Sequence, residues 1–412
     1  MFVFNDGNHD QRVHKQAQAL GKRGYQVRVY CFLTAGQKPK EQRDGYLLLR
    51  EDQRSHQARF FDDHIMGRLK RRRRPQESAP DGSLIMPVDR TPQRPCPKPV
   101  RELEAQAPAH RKDHWKYIER INRVWAERAK RWKPDLVQAH DLDALRAATI
   151  LGKELDIPVI YDTHELWSEQ PFIDSQEAVD YWDNLERELI AVPDLVMTVN
   201  EPLAEILEKK YNFQGVLALH NCQETQAVPK RAKNSKPVAL YQGAYVPHRG
   251  LEQVIAAAAK LDSVQIAFRG FGSSEKELRA LDSSGRIQWL DPVPGPEVVK
   301  AAAGADIGLI PFLPSCLNHY YSTPNKLFEY MSAGLAICGS DIPEISRFVN
   351  EYQLGNLFDP YAPNDIAEAL HQMVTSGELE AQQERALEAA RSRWNWEAEV
   401  ERYLQCVESL LT

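Results

Sequence analysis

Cysteine is scarce in this sequence, with six residues in 412 at positions 31, 96, 222, 316, 338 and 406. None forms a Cys-x-x-Cys pair or a Cys/His set with zinc spacing, which excludes a disulfide-framed module and a zinc ribbon. Free thiols of a reducing compartment are expected. No apolar run approaches the roughly 20 residues that span a bilayer. The opening, Met1 to Asp10, has neither a basic start nor a long apolar stretch, so no secretory leader is expected. Together these absences point to the cytoplasm. No repeat of 20 to 50 residues is visible either, which excludes a solenoid.

What is present fits a soluble α/β enzyme. Hydrophobic residues make up 42% and charged residues 27%, ordinary values for a globular chain, and the length calls for two domains. The net charge of -6 is unevenly spread. Between Arg54 and Lys133 there are 21 Lys/Arg against 10 Asp/Glu, a balance of +11, so the remainder carries -17. Such asymmetry concerns partners rather than fold.

The chain opens as strand, loop, helix, strand. Met1 to Phe4 is a short apolar run, and Asn5 to Asp10 is polar and contains Gly7. Gln11 to Lys22 sets Val13, Ala17 and Leu20 at helical spacing with Gly24 as the stop, and Gln26 to Phe32 is β-rich. Alternation resumes at Pro134, with strands expected over 135–139, 158–161, 195–199 and 216–219 and helices over 144–155, 179–190 and 202–210. The polar stretch 223–236 reads as a linker. Beyond it the same grammar restarts, with strands over 238–241, 264–268, 287–290, 307–310 and 336–338 and helices over 251–261, 325–333 and 366–375. Two Rossmann-like, doubly wound domains facing one cleft are expected, over 1–225 and 236–390, with an amphipathic tail helix in 391–412.

Residues 66–110 break the pattern. Arg68, Lys70 and Arg71 to Arg74 form a basic run, and seven prolines follow between Pro75 and Pro99. This reads as a long surface insertion. It is either a solvated loop or, through residues 66–80 and with Trp115, Trp125 and Trp132, a peripheral contact with an anionic membrane. No aromatic-basic module accompanies it, so nucleic acid is not an expected partner.

Chemistry concentrates in Ser322 to Ala336. Pro324-Asn325 sets a helix start just after a loop, and helix N-termini present free N–H groups and a positive dipole end suited to phosphate. Lys326 adds a point charge. Glu329 lies about one turn on, on nearly the same face, and suits a vicinal diol such as ribose. The alternative is an amphipathic helix whose Lys326 and Glu329 pair in solvent. Gln242 to Gly250 also follows a strand and opens a helix, and Arg269-Gly270-Phe271-Gly272 follows the next strand, where small residues let backbone approach a ligand. In the first half, Tyr161 to Trp167 follows a strand end, where open α/β sheets place ligands, and presents His164 and Glu165. His140-Asp141 ends the preceding strand at the same cleft edge. Asp141-Leu142-Asp143 imitates an Asp-x-Asp metal motif, but acids at a helix start are favoured anyway, and no metal is expected.

The Pro324 to Ala333 run resembles the C-terminal signature of family 4 glycosyltransferases of the GT-B fold, and the resemblance extends over most of the chain outside 66–110. It implies a retaining, metal-independent transferase that moves a sugar from a nucleotide-sugar donor to a glycan or lipid-linked acceptor. The nucleotide sugar is a co-substrate, and no cofactor is implied. The resemblance assigns the diphosphate to Arg249 and Lys326 and the donor loop to Gly243. Gly270 and Gly272 stand beside it, the nucleobase falls to backbone near Val293, and the helix start and ribose go to Asn325 and Glu329. His164 is placed against the transferred sugar. Asp10 and Arg12, in an Asp-x-Arg-Val variant of the first β-α unit, face the acceptor or pair with each other; His140 and Glu165 are further acceptor-side candidates. The tail helix is implied to cross back onto the first domain. Two positions depart from the family: Ala244 where it has an arginine, and Tyr321 where it has a first glutamate eight residues before Glu329. They leave room for two rivals, a nucleotide-sugar epimerase or hydrolase of the same fold and a non-catalytic scaffold.

Overall fold

The computed structural model describes residues 1–8, 10–52, 109–229 and 234–412. The basic run 68–74 and the proline-rich stretch lie outside the described residues. Two sheets organise the chain. The first holds β1 (Phe2–Val3), β2 (Val27–Leu33), β3 (Lys40–Arg43), β4 (Tyr46–Asp52), β5 (Val137–His140), β6 (Val159–Asp162), β7 (Leu195–Thr198) and β8 (Leu217–Ala218). Their spatial order is β3-β4-β2-β1-β5-β6-β7-β8. The second holds β9 (Val238–Gln242), β10 (Gln265–Arg269), β11 (Ile287–Leu290), β12 (Ile307–Ile310), β13 (Ala336–Ser340) and β14 (Gly355–Phe358), in the order β11-β10-β9-β12-β13-β14.

Every pairing is parallel except β3 with β4. β3, read Lys-Glu-Gln-Arg, carries no apolar alternation, so nothing in its sequence marks a strand; its charges suit an exposed sheet edge. Strand order reverses between β1 and β5 in the first sheet and between β9 and β12 in the second. Ligands bind outside the carboxyl ends of strands at such reversals, so the loops after β1, β5, β9 and β12 are placed for function, with the loop after β6 next to them at the same edge.

The central strands β5 and β6 are buried along their whole length, as strands covered on both faces must be. The Ala109–Lys130 helix covers the first sheet with Trp115, Ile118, Ile121 and Trp125. Trp125 is fully buried and stacks on Phe2, Trp115 stacks on Tyr181, and Trp132 lies under Arg28. These tryptophans are core and packing residues rather than a membrane-facing set. No helix among the described residues is long and apolar enough to cross a membrane.

The chain passes between the sheets twice, and the two crossings lie side by side. Gln223 on the way out bridges Asn395 on the way back, and Trp396 N donates to Gln223 O at 2.9 Å. The return helix, Trp396–Leu411, lays Tyr403, Leu404 and Val407 against Leu20, Ile160, Met197 and Leu219 of the first half. Each such apolar burial contributes roughly 1.5–3 kcal/mol, enough to hold that helix in place. His220 sits at this junction, buried among Phe328, Phe348 and Trp394, with Nε2 3.3 Å from Glu201 and Nδ1 3.7 Å from Glu399.

Candidate active site

A cleft of about 1100 Å³ opens between the carboxyl edges of the two sheets. From the first half it is lined by Asn5, Asp10, Gln11, Arg12, His164 and Glu165. From the second it is lined by Gly243, Ala244, Arg249, Asn318, Asn325, Lys326 and Glu329. Four expected site residues stand outside that lining: His140, Gly270, Gly272 and Val293.

The second-half wall is built on the Asn325–Ser332 helix. Pro324, in extended conformation, cannot continue a helix backwards, so the chain turns there and no side chain caps the helix start. Leu327, Phe328, Tyr330 and Met331 are buried, which leaves Asn325, Lys326 and Glu329 toward the cleft. Tyr330 pins the helix to the end of β9, its hydroxyl accepting from Gln242 N at 2.7 Å. Lys326 Nζ lies 5.2 Å from the Tyr241 ring centre and 5.4 Å from that of Phe312. Arg249 Cζ lies 4.2 Å from the same Phe312 ring. One aromatic side chain therefore carries both cations. Burial and the neighbouring Arg249 bring the Lys326 pKa down to about 8, with Glu329 opposing. Burial also lowers Arg249 and raises Glu329. Two partly desolvated cations face one carboxylate, and the excess positive charge fits a dianionic diphosphate.

The glycines after β10 have a different task from the one expected. A Cβ at Gly270 would stand 1.9 Å from Gly243 O, and one at Gly272 2.2 Å from Tyr245 O. They let two loops pack backbone to backbone and so fix the Gly243–Arg249 loop. Gly243 itself has φ +150°, and a Cβ there would meet Lys326 Nζ at 3.4 Å.

In the first-half wall, Arg12 does not pair with Asp10. It grips Asp162, with Nη2 2.7 Å from Oδ1 and Nε 2.9 Å from Oδ2, and is itself only 2% exposed. Asp10 instead accepts from Val13 N at 3.2 Å, capping the first helix, and from Asn5 Nδ2 at 2.9 Å. His140 is fully buried and does not reach the cleft; its Nδ1 faces His164 Nε2 at 3.3 Å. His164 sits between two carboxylates, its Nδ1 3.4 Å from Asp141 and its Nε2 3.7 Å from Asp162, while its backbone N–H donates to Asp141 Oδ1 at 2.8 Å. Burial opposes charge on this ring, but Asp141, Asp162 and Asp10 outweigh it and push the pKa up to about 10. Asp162 stays well below the usual carboxylate range: against burial, Arg12, His140 and His164 favour its charge. Asp141, the first acid of the Asp-x-Asp triplet, is thus turned to His164.

Contacts across the cleft run through Asn318, a polar neighbour of the position where the family glutamate is missing, and through Asn200, which the sequence does not mark for the site. Asn318 accepts from Leu166 N at 2.9 Å and donates to Glu165 Oε2. Asn200 donates to Tyr321 O at 2.8 Å and Thr323 Oγ1 at 2.9 Å. Its position before a helix marks only the cap it also forms to Leu203 N. Tyr321, where a family glutamate is missing, packs against the first-half core.

Residues 9–221 match the family model described as glycosyl transferase 4-like domain, and residues 236–376 match that of glycosyl transferases group 1. The first match alone spans more than half the chain. The chain belongs to the family 4 glycosyltransferases. Among curated proteins, no sequence matches it. Solved structures similar to this glycosyltransferase include sucrose-phosphate synthase from Thermosynechococcus elongatus, 14% identical over 99% of this chain and 95% of that one, with a TM-score of 0.70. A glycosyltransferase from Rickettsia africae is 11% identical over 100% and 97%, with a TM-score of 0.63. HepE of Anabaena, solved with UDP and glucose, is 14% identical over 99% and 98%, with a TM-score of 0.62. The glycosyltransferase therefore has the GT-B fold, two Rossmann-like units with the cleft between them.

Proposed function

We propose that this glycosyltransferase moves a sugar, with retention of anomeric configuration, from a nucleoside diphosphate to a glycan or lipid-linked acceptor, in cell-surface polysaccharide or glycoconjugate synthesis. One observation carries the reading: Arg249 and Lys326 converge on Phe312 beside the uncapped start of the Asn325–Ser332 helix. The bond between the anomeric carbon and the diphosphate oxygen breaks with its electron pair leaving on phosphate. The two cations and the helix dipole stabilise that charge, so the step as proposed calls on no metal. Glu329 accepts from the ribose hydroxyls. The acceptor oxygen attacks from the leaving-group face, and its proton passes to the departing phosphate oxygen. His164, held charged between Asp141 and Asp162, donates a hydrogen bond to the sugar rather than taking a proton. Domain closure excludes water.

UDP-linked sugars are the first donors to try, since HepE was solved with UDP and glucose. Incubation with a panel of nucleotide sugars, with and without acceptor and with a chelator, tests the reading. Product only with acceptor, of unchanged anomeric configuration and unaffected by chelator, supports it. An epimer or free sugar as sole product supports the rival enzyme reading, and failure to bind any donor supports a scaffold. Peripheral contact through residues 66–80 is proposed separately. Flotation on anionic liposomes, equal with and without those residues, would refute it.

A further inference from the structure

Beneath His164 lies a polar chain that a core has no reason of stability to hold. Tyr403 of the return helix donates to Gln138 Oε1 at 2.7 Å, Gln138 Nε2 donates to Gln16 Oε1 at 2.6 Å, and Gln16 Nε2 donates to Asp162 Oδ2 at 2.7 Å. Tyr403, Gln16 and Asp162 are fully buried and Gln138 is 1% exposed. Around Tyr403 stand Leu20, Ile160, Met197, Leu219, Leu404 and Val407. Apolar side chains of the same volume would fill this space without the cost of desolvating two amides and a phenol.

The carboxylate dictates the sense of every link. Asp162 is ionised against Arg12 and only accepts, so Gln16 must turn its NH2 group toward it. The Gln16 carbonyl then accepts from Gln138, and the Gln138 carbonyl from Tyr403. All three donors point toward Asp162, an arrangement in which each bond polarises the next. The remaining N–H of Gln138 faces His140 Nε2 at 3.3 Å. That nitrogen must be the lone-pair one, which leaves the His140 proton on Nδ1. Nδ1–H is turned to Asp162 Oδ2 at 3.5 Å, and the protonated His164 Nε2, 3.3 Å from that nitrogen, is turned to the same oxygen at 3.7 Å, so the two rings meet at the carboxylate.

We propose that Tyr403, Gln138 and Gln16 are positioning residues: they fix the tautomer of His140 and the setting of Asp162, and through both orient His164 in the cleft. The relay begins on the helix that returns from the second half, so the ring at the sugar site is referenced to the element that ties the two halves together. The inference rests on His164 acting at the transferred sugar, but its first test does not.

The tautomer is read from two-bond 15N–1H correlations of the histidine-labelled full chain, with His140 assigned by loss of its signals in His140→Asn. Expected is a lone-pair shift at Nε2 and a protonated shift at Nδ1; a protonated Nε2 in the wild type would overturn the relay, whatever the protein's activity. In Gln138→Met the two tautomers should mix. Its kcat for transfer should fall roughly ten- to a hundredfold, the scale of a misplaced catalytic group, while its Kd for UDP stays within about twofold of wild type. Tyr403→Phe should lower kcat in the same direction. Wild-type kcat in both variants, or an unmixed His140 in Gln138→Met, would refute the positioning role. Loss of UDP binding together with kcat would refute it too, since that is what general disruption of the fold produces.

Discussion

Arg12 on the first helix and Asp162 at the end of β6, 150 residues apart, form a buried two-point ion pair at the floor of the cleft. Four further groups depend on it: Gln16, His140 and His164 around the carboxylate, and Leu219 O, which accepts from Arg12 Nη1 at 2.5 Å. Arg12→Met leaves a buried carboxylate without its principal cation and should cost about 3–5 kcal/mol, measured by urea denaturation. The double variant Arg12→Met/Asp162→Leu should recover part of the loss, because the carboxylate is no longer stranded, while Gln16 and His164 still lose their acceptor. A single variant as stable as wild type would contradict this account.

The paired cations on Phe312 predict a kinetic result. Lys326→Ala or Arg249→Ala removes one charge-assisted contact to the leaving diphosphate and should cut turnover roughly a hundredfold. Steady-state transfer assays of the purified variants check it. Wild-type turnover in both would refute the role given to them.

Much of this fold is legible before any coordinates. The Gln11–Lys22 helix and the strands Ile287–Leu290 and Ile307–Ile310 fall where apolar periodicity puts them. The polar strand β3 carries no such signal. The helices Pro343–Tyr352 and Leu379–Ser392 have weaker sequence marks, though Pro343 in the first turn followed by Glu344 is a helix-start signal for the former. For the site, sequence brings forward the loops that line the cleft, because strand ends and helix starts are local features. It does not show that Arg12 belongs to Asp162, that His140 is buried, or that Gly270 serves Gly243, because each depends on pairing between distant segments. Phe312 has no mark in sequence at all, since a platform for two cations exists only once β12 lies beside β9.

The loop contact at Gly270 gives a third prediction. Gly270→Ala drives a Cβ to 1.9 Å from Gly243 O and must displace the loop that carries Arg249. Stability should fall by about 1–3 kcal/mol, as for other overpacked sites, and UDP affinity should fall with it. Gly304→Ala, where nothing stands within 4 Å, should leave both unchanged. Thermal denaturation and calorimetric titration of the two variants separate these outcomes.

The junction around His220 predicts a pH dependence. Against burial, Glu201 and Glu399 raise the His220 pKa above its ordinary 6.5, so the stability it contributes is full below pH 6.5 and is lost as pH rises through the folded value. His220 in turn brings Glu201 down to about 2 and, against burial, Glu399 also to about 2. Their contribution is present above the ordinary 4.5 and lost as pH falls toward 2. The cluster therefore stabilises most between pH 4.5 and 6.5. Melting temperatures of wild type and His220→Gln across pH 3 to 9 should differ most in that window; a difference independent of pH would show that His220 acts by packing alone.

The central claim is that a nucleoside diphosphate settles at the amino end of the Asn325–Ser332 helix, and a crystal structure of the enzyme with UDP tests it most directly. The account predicts the diphosphate within hydrogen-bond distance of Lys326 Nζ and Arg249, with the ribose hydroxyls on Glu329. A diphosphate bound on the first-half wall, or Lys326 and Glu329 turned out of the cleft, would contradict it.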